Sequence, residues 1–228
     1  VMPLTGENRF LVRYGLSCIA KAPRPGIAAM FRESGTDARH LTASTIGFSL
    51  APRLNAAGRL GQASVAARLL MSRDENEAAS LAKELCELNR RRQSIETQIW
   101  QEANDIIKDS DPQDPIVLAS DRWHQGVIGI AASRLAEQYS LPAIIICLNG
   151  ENGKGSCRSY GGFNLFEALS ACSDNLTGFG GHALAAGLNI RRDMLDRFRE
   201  ALAAYYRRHR PAPMPEVCCD MLITDPSL

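Results

Sequence analysis

The sequence predicts an α/β chain: a helical N-terminal segment, a long connecting helix, then an α/β domain built on a mixed sheet. Three observations carry that expectation. Residues 1–73 read as helix and loop. Residues 74–108 keep a helical apolar period with no Gly or Pro. Beyond the prolines at 112 and 115, short β-branched runs alternate with a helical one. With 228 residues, 45% of them hydrophobic, there is room for one large domain or two small ones around buried cores.

In the first segment, residues 8–20 are expected to form a helix with Phe10, Leu11, Tyr14 and Cys18 on one side, broken by Pro-Arg-Pro-Gly at 23–26. A short helix over 27–33 ends at Gly35, and Thr42 caps another that runs toward Pro52. Asp74 with Glu77 opens the long helix, whose apolar positions include Leu81, Leu85, Leu88, Ile95, Ile99, Ala103 and Ile106. At 1.5 Å per residue it extends about 50 Å, enough to connect two bodies. The acidic, proline-paired stretch 111–115 stops it and marks the main boundary. Next, a strand over 116–119, a helix over 127–139 and a strand over 143–148 make a β-α-β unit. Its strands should be parallel with a right-handed crossover, and ligands bind at loops following such strands. The turn at 149–153 leads into a strand over 154–159, and Asn164 with Glu167 caps a helix to Cys172. A glycine-rich stretch, a strand over 188–190 and a helix over 193–206 complete the domain, and 217–223 read as one further strand.

Several classes are set aside by composition. Apolar runs such as 143–148 are far too short to span a membrane, and the first residues lack a basic start followed by an apolar stretch. The seven cysteines form no Cys-x-x-Cys pair and no closely spaced His pair exists, so structural zinc has no support and reduced thiols in the cytoplasm are expected. Charge is uneven: residues 1–73 hold ten Lys/Arg against three Asp/Glu, whereas 74–110 hold five against nine. A basic first third suits a polyanion partner, and a solvated basic face accounts for the same count.

Three stretches hold residues suited to chemistry. In 51–60, Arg53 and Arg59 stand beside Asn55 and small residues that allow a phosphate to approach closely. The loop at 120–126 places Trp123 and His124 just before a helix start; Trp123 can stack a base and His124 can donate to phosphate. Burial of the ring and a local partner for the imidazole are the alternatives. In 178–187, Gly180 and Gly181 precede His182 and are read as lying before a helix, where their N–H groups form a nest for an oxyanion; Arg158 and Ser159 lie on the preceding strand. A plain structural turn is the competing reading there.

Together these stretches resemble the RecJ family of single-strand-specific 5′ to 3′ DNA exonucleases, within the DHH phosphoesterase superfamily. The resemblance rests on Pro-Leu-Thr-Gly-Glu-Asn-Arg at 3–9, residues 52–60 and Leu88 and Asn89 through Gln93 to Glu96. It rests also on Trp123 and His124 with 126–130, on 156–159, and on Gly180, Gly181 and His182 with 185–187. It implies two divalent cations, Mn²⁺ or Mg²⁺, held in the complete enzyme by aspartates and an Asp-His-His motif. This sequence has no Asp-His-His, and residues 1–73 contain only Glu7, Glu33 and Asp37 as acids. The chain is therefore expected to be a fragment that binds no metal and is inactive alone.

The same resemblance implies four parts: residues 1–73 from the catalytic domain, 74–110 as connecting helix, 111–209 as a DHH-associated substrate-binding domain, and 210–228 as the start of an OB-like domain. Single-stranded DNA is the expected partner. Arg158, Ser159, Gly180, Gly181 and His182 are implied to hold phosphates, Arg53 and Arg59 to line the strand's path, and Trp123 and His124 to join them. Two other readings stay open: a phosphodiesterase of the same superfamily acting on dinucleotides or short oligonucleotides, and a nucleic-acid-binding module without catalysis.

Overall fold

The computed structural model describes residues 3–108 and 112–209, apart from the side chain of Arg39. The strand expected over 217–223 lies outside the described residues. Among the described residues two compact units result, one of residues 3–103 with 124–131, the other of 104–108, 112–123 and 132–209. No helix among the described residues is long and apolar enough to cross a membrane, and none of the five described cysteines forms a disulfide.

Unit one is helical. α1 (Gly6–Lys21) is followed by α2 (Pro25–Ser34), then by a single turn, α3 (Ala43–Thr45). Thr42 opens α3 with a reciprocal cap: its hydroxyl accepts from the Thr45 N–H at 3.1 Å while its own N–H donates to Thr45 Oγ1 at 3.2 Å. The helical path does not stop at Pro52. It passes through a π-helical turn (Ile46–Leu50), from which the Ile46 carbonyl accepts the Ala51 N–H, into α4 (Ala51–Arg59), with Pro52 in the first turn of α4. α5 (Ala63–Met71) and α6 (Glu75–Ile107) follow.

Asp74 caps α6 by accepting from the Glu77 N–H at 2.7 Å. Its 33 residues extend about 50 Å. Ala78, Leu81, Ala82, Leu85 and Leu88 sit at helical spacing in one buried cluster with Met30, Phe31, Leu50 and Leu69. The first part of the helix is thus a wall of unit one's core. Farther along, Ile99, Ala103 and Ile107 are buried while Ile106 is 62% exposed, which corrects the expected apolar face by one residue. The apolar side of α1 is present but buries nothing: Phe10, Leu11 and Tyr14 are all exposed, and the Phe10 and Tyr14 rings stack with centroids 6.2 Å apart.

Unit two is built on five strands, β1 (Ile116–Ser120), β2 (Ala143–Asn149), β3 (Asn152–Arg158), β4 (Gly178–Gly181) and β5 (Ala185–Arg191), in the order β1-β2-β3-β5-β4. β1 and β2 run parallel, joined through α7 (Ile128–Tyr139), and the other pairs are antiparallel, so the sheet is mixed. α8 (Leu165–Ala171) and α9 (Leu195–His209) complete it, with the Asn164 side chain accepting from the Glu167 N–H at 3.3 Å. Register places Val117, Ile144, Cys157 and Ala186 in one row and Ile146 beside Leu188, all buried on one face. Phe163, Leu165, Leu169, Phe198 and Leu202 are buried in the same unit. Burial lifts the Cys157 thiol pKa to about 12.

Candidate functional site

The β3-β5-β4 part of the sheet carries one group of candidate residues. Strand alternation turns Ser156 and Arg158 to the face opposite Cys157. Ser156 pairs with Gly187, which pairs with Gly180, so two glycines give that row a floor of bare backbone. The next row holds Arg158 and Ala185, and the Ala185 carbonyl accepts from the His182 N–H at 2.9 Å. Arg158, Ala185 and His182 therefore line up across three neighbouring strand positions, with the outer backbones about 10 Å apart.

Each side chain in that row has a definite orientation. Arg158 donates from Nε to Ser133 Oγ at 3.1 Å, and from Nη1 to Ser156 Oγ at 3.0 Å and the Cys157 carbonyl at 2.7 Å. His182 is exposed, and its Nδ1 accepts from the Leu184 N–H at 3.2 Å. The proton of the neutral ring then sits on Nε2, which presents a donor to the surface.

The glycine nest does not form. Gly180 and Gly181 belong to an antiparallel hairpin, no helix follows them, and the His182 and Leu184 N–H groups are bonded within the turn. Gly181 is required by shape: its φ is +143°, and an added Cβ would lie 2.5 Å from the Ala185 carbonyl oxygen. Ser159 also departs from expectation, because its hydroxyl donates to the Phe163 carbonyl at 2.5 Å and its N–H to the Leu184 carbonyl at 3.0 Å. It fixes the turn that follows β3 instead of offering a proton to a ligand.

Unit one holds a second group. An open hollow of about 730 Å³ is lined by Asn55, Gly58, Arg59, His124, Gln125 and Gly126, among others. Arg59 donates to the Gly126 carbonyl at 3.0 Å, and the Gly126 N–H donates to His124 Nδ1 at 3.1 Å, leaving the exposed Nε2 of His124 as a donor. Only glycine fits at 126, since a Cβ there would stand 2.0 Å from the Arg59 carbonyl oxygen. The His124 carbonyl accepts from the Val127 and Ile128 N–H groups, so this turn is also the entrance to α7.

Arg53 does not share that hollow. It lines another, of about 620 Å³, with Phe48, Asn89, Arg90 and Gln93, and its Nη1 donates to the Ser49 carbonyl at 2.5 Å. Arg53 and Arg59, at opposite ends of α4, thus line different hollows. Trp123 is 4% exposed and belongs to unit two, where its carbonyl accepts from the Cys147 thiol. A buried indole has no open face for a base, so the stacking role is withdrawn. Ser133 is an addition that sequence reasoning missed: its type carries no signal, and only the fold brings it to Arg158. Asn55 and Gln125, from the stretches read for chemistry, line the hollow with Arg59 and His124.

Among the described residues, no group of three His, Cys, Asp or Glu gathers to hold a metal ion.

The DHHA1 domain model matches residues 113–208. The single-stranded-DNA-specific exonuclease RecJ of Bacillus subtilis is 42% identical over 205 residues, covering 89% of this chain and 26% of that protein. The protein of the same description from Dickeya dadantii is 44% identical over 214 residues, covering 89% and 37%. Crystal structures of RecJ from Thermus thermophilus superpose at 36% identity: the Mg²⁺ complex with a TM-score of 0.87 over all of this chain and 35% of that one, the Mn²⁺ complex with 0.85 over 95% and 32%. The chain spans between about a quarter and somewhat over a third of these relatives.

Proposed function

Because this chain belongs to the RecJ family and carries a DHHA1 domain over residues 113–208, we propose that it is the strand-gripping part of a single-stranded-DNA-specific 5′ to 3′ exonuclease. The observation that carries this reading is the row across β3, β5 and β4. There a guanidinium held by neutral oxygens and an imidazole with an outward Nε2–H flank a floor of glycine backbone.

Such a row suits a phosphodiester. Arg158 supplies charge in a fixed plane, His182 supplies a directional donor, and Gly180 and Gly187 let the backbone of a strand come close without meeting a Cβ. In unit one, Arg59 and His124 form a comparable donor pair beside their hollow, and Asn55 adds an amide. Contacts of this kind bind the sugar-phosphate chain without reading bases, and such binding weakens steeply with salt.

A divalent ion, Mg²⁺ or Mn²⁺, would supply the hydrolytic chemistry of the whole protein, and the described residues offer no cluster that would hold it. We place the protein in the cytoplasm, where its DNA substrate lies, and propose a division of the chain at 73, 110 and 209.

Titration of a labelled single-stranded oligonucleotide at two salt concentrations tests the reading. Binding at low salt that falls at high salt is expected, with no nucleotide release by this chain in Mn²⁺. Absence of binding at low salt overturns the gripping role, and preference for a dinucleotide by the longer protein moves the substrate to short oligonucleotides.

A further inference from the structure

We propose that Ser133 is a positioning residue that sets the Arg158 guanidinium for strand binding; this rests on the reading above. Ser133 lies on α7, 25 residues before Arg158, and accepts from Arg158 Nε at 3.1 Å. Two further bonds from this guanidinium go to Ser156 and Cys157, its neighbours on β3. Those two anchors move with the strand that carries the arginine. Ser133 ties the side chain to a separate element.

The bond on Nε adds a fixed point on α7 to the two that Nη1 makes within β3. An arginine side chain otherwise has about 2 kcal/mol of rotamer entropy to lose on binding. Ser133 itself touches no strand in this scheme; it acts through Arg158.

The experiment measures affinity of the 228-residue chain for a labelled oligo-dT across a salt series, with melting temperatures alongside. Arg158→Ala should reduce the slope of log affinity against log salt by about one. Ser133→Ala should weaken binding about 3- to 10-fold, move the slope the same way, and cause no further loss when combined with Arg158→Ala. Ser133→Thr, which keeps the hydroxyl, should restore both.

Wild-type affinity and slope in Ser133→Ala overturn the proposal, as does a loss that adds in full to that of Arg158→Ala. If Ser133→Ala unfolds, Ser133→Thr against Ser133→Val makes the same comparison at matched size. A wild-type chain that binds nothing, or Arg158→Ala with an unchanged slope, removes the strand-gripping reading and the role of Ser133 with it.

Discussion

In unit one the His124 ring accepts a backbone N–H from Gly126, two residues on; in unit two the His182 ring accepts one from Leu184, again two residues on. Both bonds engage Nδ1 and leave Nε2 as the donor, with an arginine associated with each turn. The scaffolds differ completely. One turn starts a helix, the other closes a hairpin between β4 and β5. Orientation of an imidazole therefore needs only a local i to i+2 bond, whereas the scaffold decides which glycine must stand beside it and why. Gly126 is needed because another main chain passes close, and Gly181 because its own backbone turns to positive φ.

The largest effect should come from those glycines. Gly126→Ala and Gly181→Ala each force a Cβ to within 2.5 Å or less of a carbonyl oxygen, so each should cost about 3 kcal/mol or more. Denaturant titration checks this, and the comparison breaks if either variant melts like the parent.

A second expectation sharpens the functional side. His124→Ala and His182→Ala should each weaken oligonucleotide binding by about 1–3 kcal/mol if the contact is charge-assisted, while leaving the melting temperature nearly unchanged. An unfolded His182→Ala would move that ring from ligand contact to structural support.

Cysteine labelling separates the two units. Burial raises the Cys157 thiol to about 12, so it stays protonated throughout the neutral range and should resist alkylation at pH 8, whereas exposed Cys18 should react. Gly181→Ala should make Cys157 labile by loosening β5 against β4; Gly126→Ala should not. Mass mapping after a short iodoacetamide pulse reads the difference.

The smallest effect concerns acid. Hydrogen bonds from Arg68 and then Ser72 hold the Glu77 carboxyl below its usual 4.5, and a hydrogen bond from Arg191 holds Asp193 below 3.8. Both folded values are depressed. Their contributions are complete above the unfolded values and fade as pH falls through the folded ones, Glu77 in unit one below about 4.5 and Asp193 in unit two below about 3.8. Carboxyl chemical shifts followed by NMR from pH 6 to 2 check that each group titrates below its usual value.

Much of this was legible before folding. The apolar spacing from Leu81 to Leu88 locates the wall of unit one, and the β-branched runs at 116–119 and 143–148 sit where β1 and β2 form, because both signals are local. β4 was not, since Gly-Phe-Gly-Gly lacks the alternation and β-branched residues that mark a strand, and its pairing with β5, which the strand expected over 188–190 did foreshadow, is what makes it one. Trp123 misled for a related reason: a loop tryptophan has the same composition whether buried or open, and only tertiary packing decides. Ser133 carried no sequence signal, because its bond to Arg158 closes only when α7 and β3 meet.

α1 has no buried residue, and of its side chains Ile19 is partly buried against unit one's core. A 16-residue helix with so little tertiary support is marginal in water by its own propensity. Its amide protons should therefore exchange with deuterium well ahead of those in α6, and limited trypsin should cut at Arg9 or Arg13 long before the sheet is touched, yielding a shortened molecule with its folded remainder intact.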